Sequence, residues 1–180
     1  MRITAGEKRY QMNNIICIFH DHSSLKGILT PWLPEECSPN GPQSFLQLAK
    51  EAGLKQVYYV SNTMHLFPEA LKNAEKLGLQ LIFGLELWMC EDVYKKDDDS
   101  LKTEHKVLIF MKSSESYKDL IKIYTKIHTN PDHKYYKFRY DLGRLKELWT
   151  PNLKMVLPWA DSFLFKNTLV HGANIVPDLE

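Results

Sequence analysis

Apolar runs of strand length alternate along the chain with longer segments in which apolar residues recur at helical spacing. Residues 56–60 combine two valines with two tyrosines, as is typical of a buried strand, whereas residues 44–52 carry apolar side chains at the spacing of a helix. This alternation indicates βα units on a largely parallel sheet. The predicted strands cover residues 14–19, 56–60, 79–88, 105–111 and 155–157, and the predicted helices cover 44–52, 68–77, a segment capped by Ser113 or Ser114, 142–149 and 161–169.

The number of these units is small for a complete eight-stranded barrel. About five βα units are counted, and residues 170–176 are a candidate sixth strand. A closed barrel of eight strands takes about 250 residues. The expectation is therefore one domain over residues 1–180 that is either an abbreviated barrel or part of a longer one.

The chemistry-bearing residues follow the first and third predicted strands. His20 and His22 stand two positions apart after an apolar run, so on a strand both rings would face one side and could share a metal ion. Glu86, two residues after Gly84, is expected to reach the same end of the sheet. The alternative for the histidine pair is two polar residues in an exposed loop.

Composition and charge exclude few functions. No segment approaches the roughly 18 consecutive apolar residues of a membrane span, and the N-terminus lacks the pattern of a secretion signal, so we expect a cytoplasmic protein without a membrane partner. Cys17, Cys37 and Cys90 form no CxxC pair, which favours reduced thiols. A formal net charge of +1 gives no attraction of the whole molecule to nucleic acid, so any DNA binding would need a local patch or a larger partner.

Five blocks of sequence follow one another along the chain. They are Phe19-His20-Asp21-His22-Ser23, Leu48-Ala49-Lys50-Glu51-Ala52-Gly53-Leu54, Ile82-Phe83-Gly84-Leu85-Glu86, His105-Lys106-Val107-Leu108-Ile109-Phe110 and Glu115-Ser116-Tyr117-Lys118-Asp119-Leu120. Taken in this order, the blocks resemble the PHP (polymerase and histidinol phosphatase) domain, and the resemblance covers about residues 13–157. The later segment Tyr135–Asp141, followed by Leu145–Leu148, is similar to the N-terminal PHP domain of the bacterial DNA polymerase III alpha subunit in particular.

The resemblance implies a fold and a metal site. The fold is a distorted (βα)7 TIM-like barrel of mostly parallel strands, of which this chain would form a part. In the family, the strand ends hold up to three zinc, manganese or iron ions, and this metal site hydrolyses phosphoesters. Carried over by position, His20 and His22 would ligate from the first strand, Glu86 from the third and His105 from the fourth. The alternatives are a solvated strand-end carboxylate for Glu86 and a hydrogen bond across the sheet for His105.

The departures from the family pattern affect the expected activity. Where the family carries Thr-Asp-His-Gly, this chain has Val60-Ser61-Asn62-Thr63, whose neutral oxygens hold zinc or manganese far less well. His65 could compensate by turning towards the site, or it is a plain loop histidine. The family cysteine has no counterpart in residues 155–160, and the closing Asp-x-His pair has none before Glu180, so the domain is expected to be incomplete at its C-terminal end.

Two functions follow as expectations. The first is a PHP module of a DNA polymerase III alpha-like replicase with an eroded site and a structural or docking role, whose partners are the rest of the polymerase and a proofreading exonuclease, with no bound metal required. The second is a metal-dependent phosphoesterase or exonuclease acting on DNA. The candidate contacts with nucleic acid or a partner are Tyr136, Lys137 and Arg139, and the alternative is a packed loop in which Arg139 and Asp141 form structural ion pairs.

Overall fold

The computed structural model describes residues 18–21, 29–31, 33–37 and 43–171, with the backbone alone at 18–21, 29, 36 and 170–171. These ranges hold ten strands and six α-helices. The strands are β1 (Ile18–Asp21), β2 (Leu29–Thr30), β3 (Gln43–Ser44), β4 (Gln56–Ser61), β5 (Gln80–Cys90), β6 (His105–Met111), β7 (Lys134–Tyr135), β8 (Lys137–Phe138), β9 (Tyr140–Asp141) and β10 (Leu153–Val156). The helices are α1 (Phe45–Glu51), α2 (Phe67–Lys76), α3 (Asp98–Lys102), α4 (Tyr117–Thr129), α5 (Leu142–Leu148) and α6 (Phe163–His171).

A mixed sheet with the strand order β1-β4-β5-β6-β10 forms the centre of the domain, and β9 adds to the end of β5. Strands β1, β4, β5 and β9 pair in parallel, whereas β6 pairs antiparallel with both β5 and β10. One strand, β6, thus runs against the others of this sheet. The mixed α/β architecture is compatible with part of an α/β barrel.

The direction of β6 corrects the expectation of a fourth parallel βα unit. The connection from Cys90 to His105 contains only the five-residue helix α3. Residues 91–104 are numerous enough for a parallel crossover, but α3 is too short to run back along the eleven residues of β5, as the helix of such a crossover does. The chain instead reverses after β5, and β6 pairs antiparallel directly beside it.

Strand alternation separates the sheet into two faces. On one face, alternate residues of β4, β5 and β6, such as Tyr59, Phe83 and Ile109, pack against helices α1, α2 and α4 in the main hydrophobic core. On the other face, Val60, Leu108 and Phe110 form a smaller cluster. Side chains one position apart on a strand therefore enter different environments.

Local sequence signals explain where three of the helices begin or end. Ser44 caps α1 by accepting a hydrogen bond from the Gln47 amide over 3.2 Å, and Gly78, with φ of 73°, follows α2 in the left-handed conformation. Asp97 caps α3 by forming a capping box with Ser100.

The first and the last predicted strands differ from the structure. The first strand was expected at 14–19, and the structure has β1 at Ile18–Asp21, with residues 14–17 outside the described ranges. Residues 170–171 belong to α6 and do not begin a sixth strand, and 172–176 lie outside the described ranges. No helix within the described ranges has the length and apolar character needed to cross a membrane.

Candidate functional site

The carboxyl ends of β1, β4 and β5 lie at one end of the sheet, and the register fixes which residues are neighbours there. His20 pairs with Val60, and Val60 pairs with Gly84. Glu86 is two residues further along β5. The backbone of His20 and the position of Glu86 are thus at the same end of the sheet, while the side chain of His20 and all of His22 lie outside the described residues.

Glu86 is buried on the face that carries the smaller cluster, with 6% of the residue exposed. Its Oε1 lies 3.7 Å from Nζ of Lys106, on the neighbouring strand β6. The same ammonium lies 3.3 Å from Asp161 Oδ2 and 5.0 Å from the centre of the Trp88 ring. A positive charge that is itself largely buried therefore faces the carboxylate expected to ligate a metal.

His105 lies on the other face of the sheet. It pairs with Met89, whereas Glu86 pairs with Leu108, so the two side chains point to opposite sides. The His105 ring packs edge-on against Phe163 with centroids 5.6 Å apart, and Nδ1 is 3.2 Å from the carbonyl oxygen of Thr103. Burial lowers the pKa of His105, with the Thr103 hydrogen bond opposing this and Lys166 adding to it. The structure does not bring Glu86 and His105 together.

The segment at the end of β4 carries mostly neutral polar groups, several of which are hydrogen-bonded to one another. Ser61 Oγ accepts from the amide of Thr63 over 3.2 Å, and Thr63 Oγ1 lies 2.6 Å from Nδ1 of His65. His65 is exposed. Within the described chain, the buried Oδ1 of Asn62 has no hydrogen-bond partner. His65 is therefore engaged with its own loop.

The described donors do not fit the divalent ions that the resemblance implies. Among the described side chains, no three His, Cys, Asp or Glu residues are grouped so that they could hold a metal ion. Glu86 faces an ammonium, His105 faces away, and Ser61 and Asn62 supply neutral oxygens. The ligand roles of His20 and His22, which depend on side chains outside the described ranges, stay a prediction.

Arg139, predicted as a contact for nucleic acid or a partner, is fully buried. Its Nη1 donates to Glu104 Oε1 over 2.9 Å and to Ser100 Oγ over 3.1 Å, and Nη2 donates to the carbonyl oxygen of Lys95. Asp141 caps α5 and pairs with Arg144. Arg139 and Asp141 thus form structural ion pairs, as in the packed-loop alternative. Because Arg139 is fully buried, it cannot contact DNA.

Lys137 and Tyr136, the other two predicted contacts, belong to the short hairpin of β7 and β8. Nζ of Lys137 lies 2.7 Å from Glu104 Oε2 and 3.2 Å from the centre of the Trp88 ring, which anchors this lysine. Tyr136, between the two strands, is 80% exposed and has φ of 60°. Its ring packs against Tyr135 at 4.8 Å, and the Arg139 guanidinium lies 4.8 Å from the Tyr135 ring. Tyr136 is therefore an exposed aromatic side chain on a tethered support.

Sequence reasoning missed two features. Glu104 joins Lys137 to Arg139, and a lone glutamate before a strand gives no signal of a role that depends on residues more than 30 positions away. A cleft of about 860 Å³ also opens beside His105, with mainly apolar walls that include Met89, Met155 and Phe163. Lys166 at this cleft donates to the backbone carbonyls of Lys102 and Glu104.

The comparisons with known proteins agree with the sequence resemblance at the level of the family. The family model described as the PHP domain matches residues 36–157, which is more than half of the chain. A comparison with curated proteins gave no match. On the strength of the family match, this chain belongs to the PHP domain family, whose members are generally metal-dependent.

Proposed function

We propose that this chain is a PHP module that lacks phosphoesterase activity and serves as a structural and docking element of a DNA polymerase III alpha-like replicase. One observation carries the proposal: buried Glu86 faces the Lys106 ammonium at 3.7 Å, while His105 lies on the opposite face of the sheet. Metal-assisted phosphoester hydrolysis needs ligands that converge on the ion. Replacement of the family's Asp-His pair by Ser61 and Asn62 supports the same conclusion.

The hairpin of β7 and β8 is the docking surface that we propose, and Tyr136 is its central contact. Exposed tyrosines held on a rigid support are frequent anchors of protein interfaces. Lys137 and Arg139, two basic residues of this segment, are both paired with Glu104. Because cations that are already paired have less charge to offer to phosphates, this pairing favours a protein partner over DNA. The proofreading exonuclease of the same replicase is the partner that we propose.

A nuclease and metal assay tests the loss of catalysis. Purified protein is incubated with zinc, manganese or iron and with single-stranded DNA or a chromogenic phosphodiester, and its metal content is measured. We expect turnover no higher than that of the His20→Ala variant and less than one equivalent of bound metal. Stoichiometric metal with turnover that depends on His20 would refute the proposal.

A binding assay tests the docking role. The affinity for the cognate proofreading exonuclease is measured for the wild type, for Tyr136→Ala and for Ile121→Ala, which truncates a 40% exposed side chain on α4 as a matched control. We expect Tyr136→Ala to weaken binding by about tenfold or more, as truncation of an anchor residue does, and Ile121→Ala to have little effect. Equal affinity of all three proteins, or no binding by the wild type, would exclude the hairpin as the docking surface.

A metal-dependent phosphoesterase is the second candidate. Its support is the register that places the backbone of His20 at the same end of the sheet as Glu86, together with the buried and unpartnered Oδ1 of Asn62 within the described chain. This candidate would use His20, His22 and Glu86 as ligands. His20-dependent cleavage in the nuclease assay is the outcome that would favour it.

A further inference from the structure

We infer that Lys106 supplies to Glu86 the positive charge that a bound metal ion would otherwise supply, so that this part of the site is a fixed ion pair. The inference deepens the proposed function and rests on it. It concerns the one predicted metal-ligating carboxylate whose side chain the structure describes.

The position of Lys106 follows from the register of two strands. Trp88 pairs with Lys106 and Glu86 pairs with Leu108, so Glu86 and Lys106 are diagonal neighbours on one face of the sheet. The same one-residue alternation that turns His105 away directs Lys106 towards Glu86. The register of β6 therefore places an ammonium, and not the predicted imidazole ligand, on the face of the sheet that carries Glu86.

The ammonium is held in place by several groups. Its side chain is 19% exposed, against 5% for that of Glu86, so bulk water screens the pair only weakly. Nζ also approaches Asp161 and the Trp88 ring, and the backbone amide of Lys106 donates to the carbonyl oxygen of Asp161 over 2.7 Å. Lys106 is thus fixed at both its main chain and its charged end.

A charge in this position has two consequences for metal binding. A divalent cation that approached Glu86 would meet a fixed positive charge within a few ångströms, in a region where Coulomb repulsion is strong. Removal of the ammonium, in turn, would take a positive charge away from the surroundings of a buried carboxylate, which is destabilising. Lys106 is therefore expected both to exclude metal from Glu86 and to stabilise the fold.

The test compares melting temperatures with EDTA and with about 1 mM Mn²⁺ or Zn²⁺, since a ligand that binds only the folded state raises the melting temperature. We expect the wild type and Lys106→Arg to be insensitive to metal. We expect Lys106→Met to melt several degrees lower in EDTA, to recover part of this loss with metal, and to bind metal at least tenfold more tightly than the wild type. Lys154→Met, at an exposed lysine of β10, is the matched control and should behave as the wild type.

The double variant Glu86→Gln/Lys106→Met separates charge from packing. Without the carboxylate, it should regain most of the melting temperature in EDTA and show no response to metal. The inference is overturned if Lys106→Met melts like the wild type and gains no metal affinity. If Lys106→Met fails to fold, the test compares the wild type with Glu86→Gln. The inference is then overturned if metal raises the melting temperature of the wild type and Glu86→Gln abolishes this rise.

The failures of the two proposals can be told apart. Metal-dependent turnover by the wild type would refute the proposed function. An inactive wild type whose Lys106→Met variant is stable and indifferent to metal would refute only the role of Lys106.

Discussion

The guanidinium of Arg139 donates a hydrogen bond of 2.9 Å to the carboxylate of Glu104, and both side chains are almost completely buried. The pair joins two distant segments, since Glu104 immediately precedes β6 and Arg139 lies between the hairpin strand β8 and β9. Lys137 adds a second positive charge at 2.7 Å from the same carboxylate. Glu104 therefore fixes the base of the hairpin to the start of β6.

Replacement of Arg139 by methionine is expected to lower the free energy of unfolding by up to about 3 kcal/mol, the lower end of the range for breaking a buried pair, because Lys137 still partly neutralises Glu104. Urea denaturation monitored by circular dichroism measures the change. The double variant Glu104→Met/Arg139→Met should regain a large part of the loss. A single variant within about 0.5 kcal/mol of the wild type, the usual range for surface substitutions, would show that the pair contributes little.

Gly84 and Phe110 give a second prediction, because a Cβ at position 84 would lie 2.5 Å from Cε1 of the Phe110 ring. Gly84→Ala is expected to destabilise the protein by about 1–3 kcal/mol through overpacking. Adding Phe110→Leu should recover part of this loss, and urea denaturation measures both changes.

Gly143→Ala, in α5, is the matched control for Gly84→Ala. Its added methyl meets only Asp141 Oδ1 at an ordinary 3.4 Å, so helix propensity should raise stability by up to about 1 kcal/mol. Equal effects of Gly84→Ala and Gly143→Ala would contradict the close approach of Phe110.

The hydrophobic pattern predicted the elements of the fold better than their directions. Residues 56–60, 79–88 and 105–111 were predicted as strands and appear as β4, β5 and β6, because buried strands need continuous apolar runs. The same runs carry no information on strand direction. The reversal of β6 depends on how the 91–104 connection packs, and this packing is a tertiary effect.

The candidate site was less predictable because ion pairs form between residues far apart in sequence. Glu86 and Arg139 could be recognised as chemically notable residues, but their partners Lys106 and Glu104 could not be identified before the strand register was known. A shift of one residue in β6 would exchange the faces of His105 and Lys106. Ligand positions carried over from the family therefore need the register to be known.

The histidines at positions 105 and 128 predict a pH dependence of stability. Burial lowers the pKa of His128, which stacks on Tyr124 at 4.0 Å, and its hydrogen bond to the Tyr124 carbonyl opposes this only in part. The pKa of His105 is lowered as well. As the pH falls through the ordinary value of 6.5, the unfolded chain takes up protons first, so protonation favours unfolding.

The contribution of these two histidines to the free energy of unfolding should therefore be at its full value above their ordinary pKa. It should decrease as the pH falls from there to the lowered pKa values of the folded state. Urea denaturation at a series of pH values measures this decrease. His128→Phe keeps a ring between Tyr124 and Phe138 but cannot be protonated, so it should make the decrease shallower. An unchanged slope in this variant would exclude His128 as a source of the pH dependence.

Cys90 is expected to be unreactive in the folded protein. Burial raises the pKa of its thiol to about 11, so at pH 8 only about one molecule in a thousand carries the reactive thiolate. Cys37, whose thiol is only partly buried, should be alkylated before Cys90. Mass spectrometry of peptides after timed iodoacetamide labelling, with and without urea, checks the order. Labelling of Cys90 as fast as Cys37 without urea would contradict its burial.

Substitutions of Tyr136 are expected to affect folding stability and partner binding differently. Its φ of 60° lies in the left-handed region, which costs a non-glycine residue about 1–2 kcal/mol. Tyr136→Ala removes the ring and keeps this cost, whereas Tyr136→Gly removes both, although glycine also gives the unfolded chain more freedom. Tyr136→Gly should therefore be about 0.5–1 kcal/mol more stable than Tyr136→Ala in urea denaturation.

Both Tyr136 variants should lose affinity for the exonuclease to the same extent if the ring makes the contact. Non-glycine residues held at positive φ cluster at functional sites, which supports the Tyr136 ring as the proposed contact. Glycine and alanine variants of equal stability would show that the hairpin relieves the strain elsewhere. A glycine variant that bound as well as the wild type would place the contact outside the Tyr136 side chain.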